Sequence, residues 1–186
     1  MSEQNPWEGF HSAWVNTMVR HLNGDLLPPD FRAIPQADYH SDCYEVQVFD
    51  NRRDRQLSAA VVVATPGNKV RSERRKGFAV KCADFLQRHV SVMIVDIVTL
   101  SGASLHNELF THLGLSRTGE NAEQYSAAYR LRADHGQWQL DVWSFPLAVD
   151  AALPTVPLWL AVDLAVPFDL ERTYEETCQV LRLDAE

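Results

Sequence analysis

The chain has 186 residues, 46% apolar and 23% charged, with 17 Lys and Arg against 25 Asp and Glu for a formal charge of −8. This length suits a single domain spanning 1–186 with a real core, and the acidic balance argues against general nucleic-acid binding, which needs clustered Lys and Arg. Cys43, Cys82 and Cys178 form no CxxC pair, no stretch reaches about 18 apolar residues, and the start Met-Ser-Glu-Gln-Asn-Pro is not a signal peptide, so the expectation is a soluble cytoplasmic protein with reduced thiols and no membrane association.

Trp7, Phe10, His11, Trp14, Val15, Met18, Val19 and Leu22 follow the i, i+3, i+4, i+7 rhythm of an amphipathic helix. Asn5 is placed to cap it, Pro6 fits its first position, Glu8 completes a capping-box spacing, and Gly24 offers a stop. The Trp7/Trp14 stripe reads as core. Pro28, Pro29 and Pro35 exclude a helix next, leaving Phe31–Ile34 as a short edge strand. Tyr44–Phe49 alternates as a strand does, and Asp50–Arg55 is a charged turn. Leu57–Ala64 reads as a buried strand broken by Thr65-Pro66-Gly67-Asn68. Ser72 is placed to cap a helix whose inner face carries Phe78, Cys82, Phe85 and Leu86. Val90–Val98 is the next buried strand, so the segment reads as a strand–helix–strand crossover. A short helix at Leu105–Leu113 ends at Gly114. Tyr125–Arg132 and Trp138–Trp143 form a hairpin across Asp134-His135-Gly136. Pro154 and Pro157 mark an irregular extended stretch, and Asp169 caps a last helix at Leu170–Val180.

The element order through Asp96 is αβββαβ, which matches the core of the PD-(D/E)XK, or restriction-endonuclease-like, fold. The chain also resembles a bacterial family of unknown function. The matching residues are Trp7-Glu8-Gly9-Phe10-His11, the strand ending in Ala64-Thr65-Pro66-Gly67-Asn68-Lys69 (Ser-Pro-x-Asn-Lys in the family), Leu153–Leu158, and Asp169–Tyr174. Asn68-Lys69 and the Lys81…Phe85…Val90 pattern are similar to endonuclease families of the PD-(D/E)XK group. The resemblance implies an α/β (α+β) fold with a mixed central sheet, a C-terminal hairpin and a helix, together with an ancestral phosphodiesterase chemistry.

That chemistry needs two carboxylates to hold Mg²⁺ and a lysine to orient or activate water. Glu45 occupies a plausible place for the first acid, while the position of the second holds Val62. The companion lysine position holds Ala64, and Lys81 matches a site to which that lysine migrates in such folds. Asp96, at the end of the neighbouring strand, is an auxiliary acid. The catalytic candidates are therefore Glu45, Lys81 and Asp96, with Glu45 and Asp96 as the metal candidates. Lys69, Arg71, Arg74, Arg75 and Lys76 are the one concentration of positive charge and the candidates for phosphate or nucleic-acid contact. His11, His21, His40, His89, His106, His112 and His135 lack zinc-ligand spacing, no glycine-rich phosphate loop is present, and Cys82 reads as core rather than nucleophile.

With one acid and one lysine left of the expected set, the expectation is a nuclease-like domain that has lost catalysis and serves as a binding or structural module, without a cofactor. Its partner would be nucleic acid or protein. The alternative is a Mg²⁺-dependent nuclease using Glu45 and Lys81.

Overall fold

In the computed structural model, the described residues are 6–38, 43–99, 104–116 and 123–183. Asn5 and the side chains of Pro6 and Glu8 lie outside what is described. Helix α1, Pro6–His21, passes directly into a single wide π turn at Leu22–Leu26. Gly24 therefore falls inside helical structure, and the chain turns extended only at Leu27, correcting the expected stop. Trp14, Val15, Met18 and Leu22 are buried, whereas Trp7 remains 42% exposed. The stripe reaches the core only from Phe10 onward, because Trp7 sits in the first turn.

Strands β1 (Phe31–Asp38), β2 (Cys43–Asp50) and β3 (Gln56–Val63) form an antiparallel meander. β1 is twice the expected length and is an edge strand, which is where Pro35 can sit without breaking a shared ladder. The charged turn holds Asp54 and Arg55 in the left-handed region. After β3 comes a short helix α2, Pro66–Val70, and then α3, Ser72–Gln87. α3 has Arg71 at its N-cap without a side-chain bond, so Ser72 is its first residue and not its cap. Its buried face is Phe78, Ala79, Cys82, Ala83, Phe85 and Leu86.

β4 (Ser91–Asp96) pairs parallel to β3, as the crossover requires. Helix α4, Leu105–His112, follows, with the Ser104 hydroxyl capping Asn107 N–H. The hairpin β5 (Tyr125–Asp134) and β6 (Gln137–Pro146) joins the same sheet, giving the order β1-β2-β3-β4-β5-β6. Its two-residue turn places His135 and Gly136 at positive φ (47° and 80°), the backbone a tight hairpin demands.

The stretch around Pro154 and Pro157 is not irregular. Thr155–Ala161 is strand β7, paired antiparallel with β8, Leu164–Asp169, in a second, two-stranded sheet. Pro157 lies opposite Pro167; each strand of a two-stranded sheet has a free edge, so neither proline removes a shared bond. β8 runs into helix α5, Leu170–Leu181, where Asp169 accepts from Arg172 N–H at 3.0 Å.

The six-stranded sheet is thus mixed and covered on both faces. On one side α1, α5 and β7–β8 enclose Trp14, Met18, Val46, Val61, Met93, Leu158 and Phe168. On the other, α3 and α4 enclose Ala60, Val62, Ala64, Cys82, Ile94, Leu105 and Tyr129. Among the described residues, no helix is long and apolar enough to cross a membrane.

Candidate functional site

Side chains alternate across a strand, and paired residues share a face. Glu45 lies opposite Val62 and Val62 opposite Ile94, so all three belong to the face under α3 and α4. Asp96 is two residues past Ile94 and shares that face. Both acids therefore lie on one face of the sheet.

Glu45 is buried, its side chain 4% exposed, and forms an ion pair with Lys81, which reaches down from α3 with its side chain 34% exposed. Gln47, two residues along the same strand, donates to the other carboxylate oxygen at 2.6 Å. The Lys81 ammonium also lies 5.9 Å from the centre of the Phe85 ring. Glu45 and Lys81 are thus brought together, as the alternative reading requires.

Asp96 does not join them. From Glu45 it is two strands across and two residues along, a Cα separation of roughly 12 Å from strand geometry. Its partner is Lys69. The Lys69 ammonium lies 3.1 and 3.3 Å from the two Asp96 oxygens and donates to the carbonyls of Val98 (2.9 Å) and Glu123 (2.6 Å). Val98 N–H adds a bond to Asp96 at 3.1 Å. Both side chains are almost wholly withdrawn from solvent. Burial pushes the Asp96 carboxyl up to about 6, and the Lys69 charge only partly opposes it.

The Thr65–Lys69 segment explains how a lysine comes to be buried. Thr65 and Asn68 form a reciprocal capping box: Asn68 Oδ1 accepts from Thr65 N–H at 2.9 Å, and Thr65 Oγ1 accepts from Asn68 N–H at 3.3 Å. Pro66 fixes the first helical φ. This tight turn delivers Lys69 inward across the end of β4. Lys69 is accordingly not free to grip phosphate, and Arg75 is partly committed, donating to the Lys69 carbonyl at 2.7 Å. Of the basic run, Arg71 and Lys76 are exposed and Arg74 is half-buried.

Sequence reasoning missed the polar cluster beside this pair. His106 Nδ1 and the Tyr129 hydroxyl are 2.7 Å apart, and Tyr125 packs edge-on to the His106 ring. Burial pushes both tyrosine hydroxyls upward, keeping them protonated. Their spacing on β5 matches the period-two inner face, which is the signal that would have found them.

Among the described residues, no group of three or more His, Cys, Asp or Glu is arranged to hold a metal ion. Each of the two acids is served by its own lysine, and apolar Val62 lies beside Glu45. Comparison with known protein families, curated proteins and solved structures finds no match to this chain.

Proposed function

We propose that this chain is a non-catalytic binding or structural module built on a nuclease-like αβββαβ frame. The observation that carries the reading is the pairing on the α3 face. The Lys81 ammonium neutralises Glu45, while buried Val62 stands opposite Glu45 where a second carboxylate would complete a divalent-cation site. One carboxylate already paired with an ammonium is a poor competitor for the water shell of Mg²⁺. The element order α1-β1-β2-β3-α2-α3-β4, in which the short α2 only leads into α3, with β3 and β4 parallel, supports the frame.

One observation favours the alternative, a Mg²⁺-dependent nuclease: Glu45 and Lys81 are in contact on one face, close enough to share a water. The discriminating experiment incubates the full chain with single- and double-stranded DNA and RNA in millimolar Mg²⁺ or Mn²⁺, alongside Lys81→Ala and Glu45→Gln. The expected result is no metal-dependent cleavage above that of the variants. Metal-dependent cleavage lost in both variants overturns the proposal and establishes the nuclease.

A further inference from the structure

At the end of the sheet where β3 and β4 begin and β5 finishes, a cavity of about 380 Å³ opens to solvent. It is about five residues, or roughly 16 Å, along β4 from Asp96. Its size falls in the range of small-molecule sites, roughly 300–1,000 Å³. Three arginines line it, Arg53 from the β2–β3 turn and Arg130 and Arg132 from β5, with Asp163 as the one acid among its lining residues.

The arginines differ in what they are free to do. Arg130 and Arg132 both bind Asp141, at 2.7 and 2.8 Å, and Arg130 lies 3.7 Å over the Trp159 ring, so these two form a braced wall. Arg53 is 70% exposed, and its ion pair with Asp50, at 3.7 Å, is the loosest of the three. Ser58, His89 and Ser91 add hydrogen-bonding groups to the lining. Trp138 stands at the mouth, 61% exposed, with one face against the His89 ring at 4.8 Å and 30°. His89, at φ 61°, is the left-handed residue that closes α3, with its own N–H bonded to the Leu86 carbonyl and Val90 N–H to that of Phe85.

We infer that this cavity binds a nucleoside monophosphate, with the base stacked on the outer face of Trp138 and the phosphate held by Arg53 and the adjoining His89 and serine groups. A planar π-face matches the exposed indole, a phosphate matches an exposed guanidinium that can exchange its loose pairing with Asp50, and the Asp163 carboxylate offers an acceptor for ribose hydroxyls. A single nucleotide is favoured over a strand because the protein's net negative charge repels a polyanion. This site is separate from the Glu45 face, so its failure leaves the proposed function untouched, and nuclease activity leaves this site untouched.

The test is isothermal titration of the full chain with adenosine monophosphate, adenosine, inorganic phosphate and a short single-stranded oligonucleotide. Trp138→Ala and Arg53→Ala serve as variants, both at exposed positions that leave the fold intact. The expected result is saturable binding of the monophosphate at up to millimolar concentration, weakened about tenfold by Trp138→Ala. Arg53→Ala should remove the preference for monophosphate over adenosine. No saturable binding, unchanged affinity in both variants, equal binding of inorganic phosphate, or tighter binding of the oligonucleotide each overturns the assignment.

Discussion

The Lys69–Asp96 pair makes a quantitative prediction about pH. The Asp96 carboxyl titrates at about 6 in the fold against an ordinary 3.8. At 1.36 kcal/mol per pH unit, the rise corresponds to about 3 kcal/mol. Because the folded state holds the proton more tightly, the group's contribution to stability is full below about pH 4 and is lost as pH rises to about 6. Asp96→Asn places a neutral side chain there at every pH and removes this dependence. The amide keeps an oxygen to accept from Lys69 and Val98, and any cost of its extra N–H groups is independent of pH. Carboxylates held low in the fold, such as Glu176 and Asp141, titrate in both proteins and cancel in the comparison. The assay is urea denaturation of wild type and Asp96→Asn from pH 4 to pH 7, with Lys69→Met/Asp96→Asn as a second variant should the single one fold poorly. Between pH 4 and pH 7 the variant should gain roughly 2 kcal/mol relative to wild type, the rest of the shift lying below pH 4. Parallel profiles, or wild type gaining on the variant, would refute the view that desolvation outweighs the lysine charge here.

Two further perturbations test the core and the helix contacts. Trp14, fully buried and donating its indole N–H to Thr173 at 2.9 Å, should cost about 3–5 kcal/mol in urea denaturation when replaced by alanine, whereas Trp7→Ala, at a half-exposed position, should cost less than about 1 kcal/mol. Glu176 on α5 is held below the usual carboxylate range by its hydrogen bond to His21 and the nearby Arg20; Glu176→Gln should cost less than about 1 kcal/mol at neutral pH, and melts of the two proteins should converge as pH falls through the depressed carboxyl pKa, the sign expected of a lowered acid.

How much of this was legible in the sequence depended on which residues carried the signal. β3 and β4 announce themselves because strands covered on both faces need continuous β-branched and small apolar residues, as in Ala59–Val63 and Val92–Val95. The β7–β8 sheet was hidden by its prolines, although Val156, Leu158 and Leu160, and likewise Val166 and Phe168, are buried with period two and carried the correct pattern. The placement of Glu45, Val62 and Asp96 on one face follows from strand parity. The burial of Lys69 does not: a lysine in a basic run reads as solvated, and only the capping box at Thr65 and Asn68 directs it inward. The cavity at Trp138 gathers residues from the β2–β3 turn, the end of α3, the β5–β6 hairpin and the β7–β8 turn, a juxtaposition no local pattern encodes.

Val62→Glu tests whether the face beside Glu45 retains the shape of a cation site. Val62 and Glu45 are cross-strand partners, so their Cβ atoms lie roughly 4.5–5.5 Å apart, within reach of a shared ion. Without metal, the substitution buries a second carboxylate that must share Lys81 and removes a packed β-branched side chain, a loss of more than about 2 kcal/mol. Millimolar Mn²⁺ or Mg²⁺ should return part of it, about 2.7 kcal/mol at a hundredfold excess over Kd, which for a chain of this size is a rise in Tm of roughly 5–10 °C. Val61→Glu is the control, because Val61 faces the opposite core with Trp14 and Met18 and gains no partner acid. Wild type and the control should show little metal response. If all three respond alike, the geometry beside Glu45 is not that of a cation site short of one ligand, and the nuclease-like frame loses its chemical argument while keeping its topology. If Val62→Glu alone is stabilised, one substitution separates the packed face from a metal-binding one, and the buried valine is the reason that Glu45 is left with Lys81.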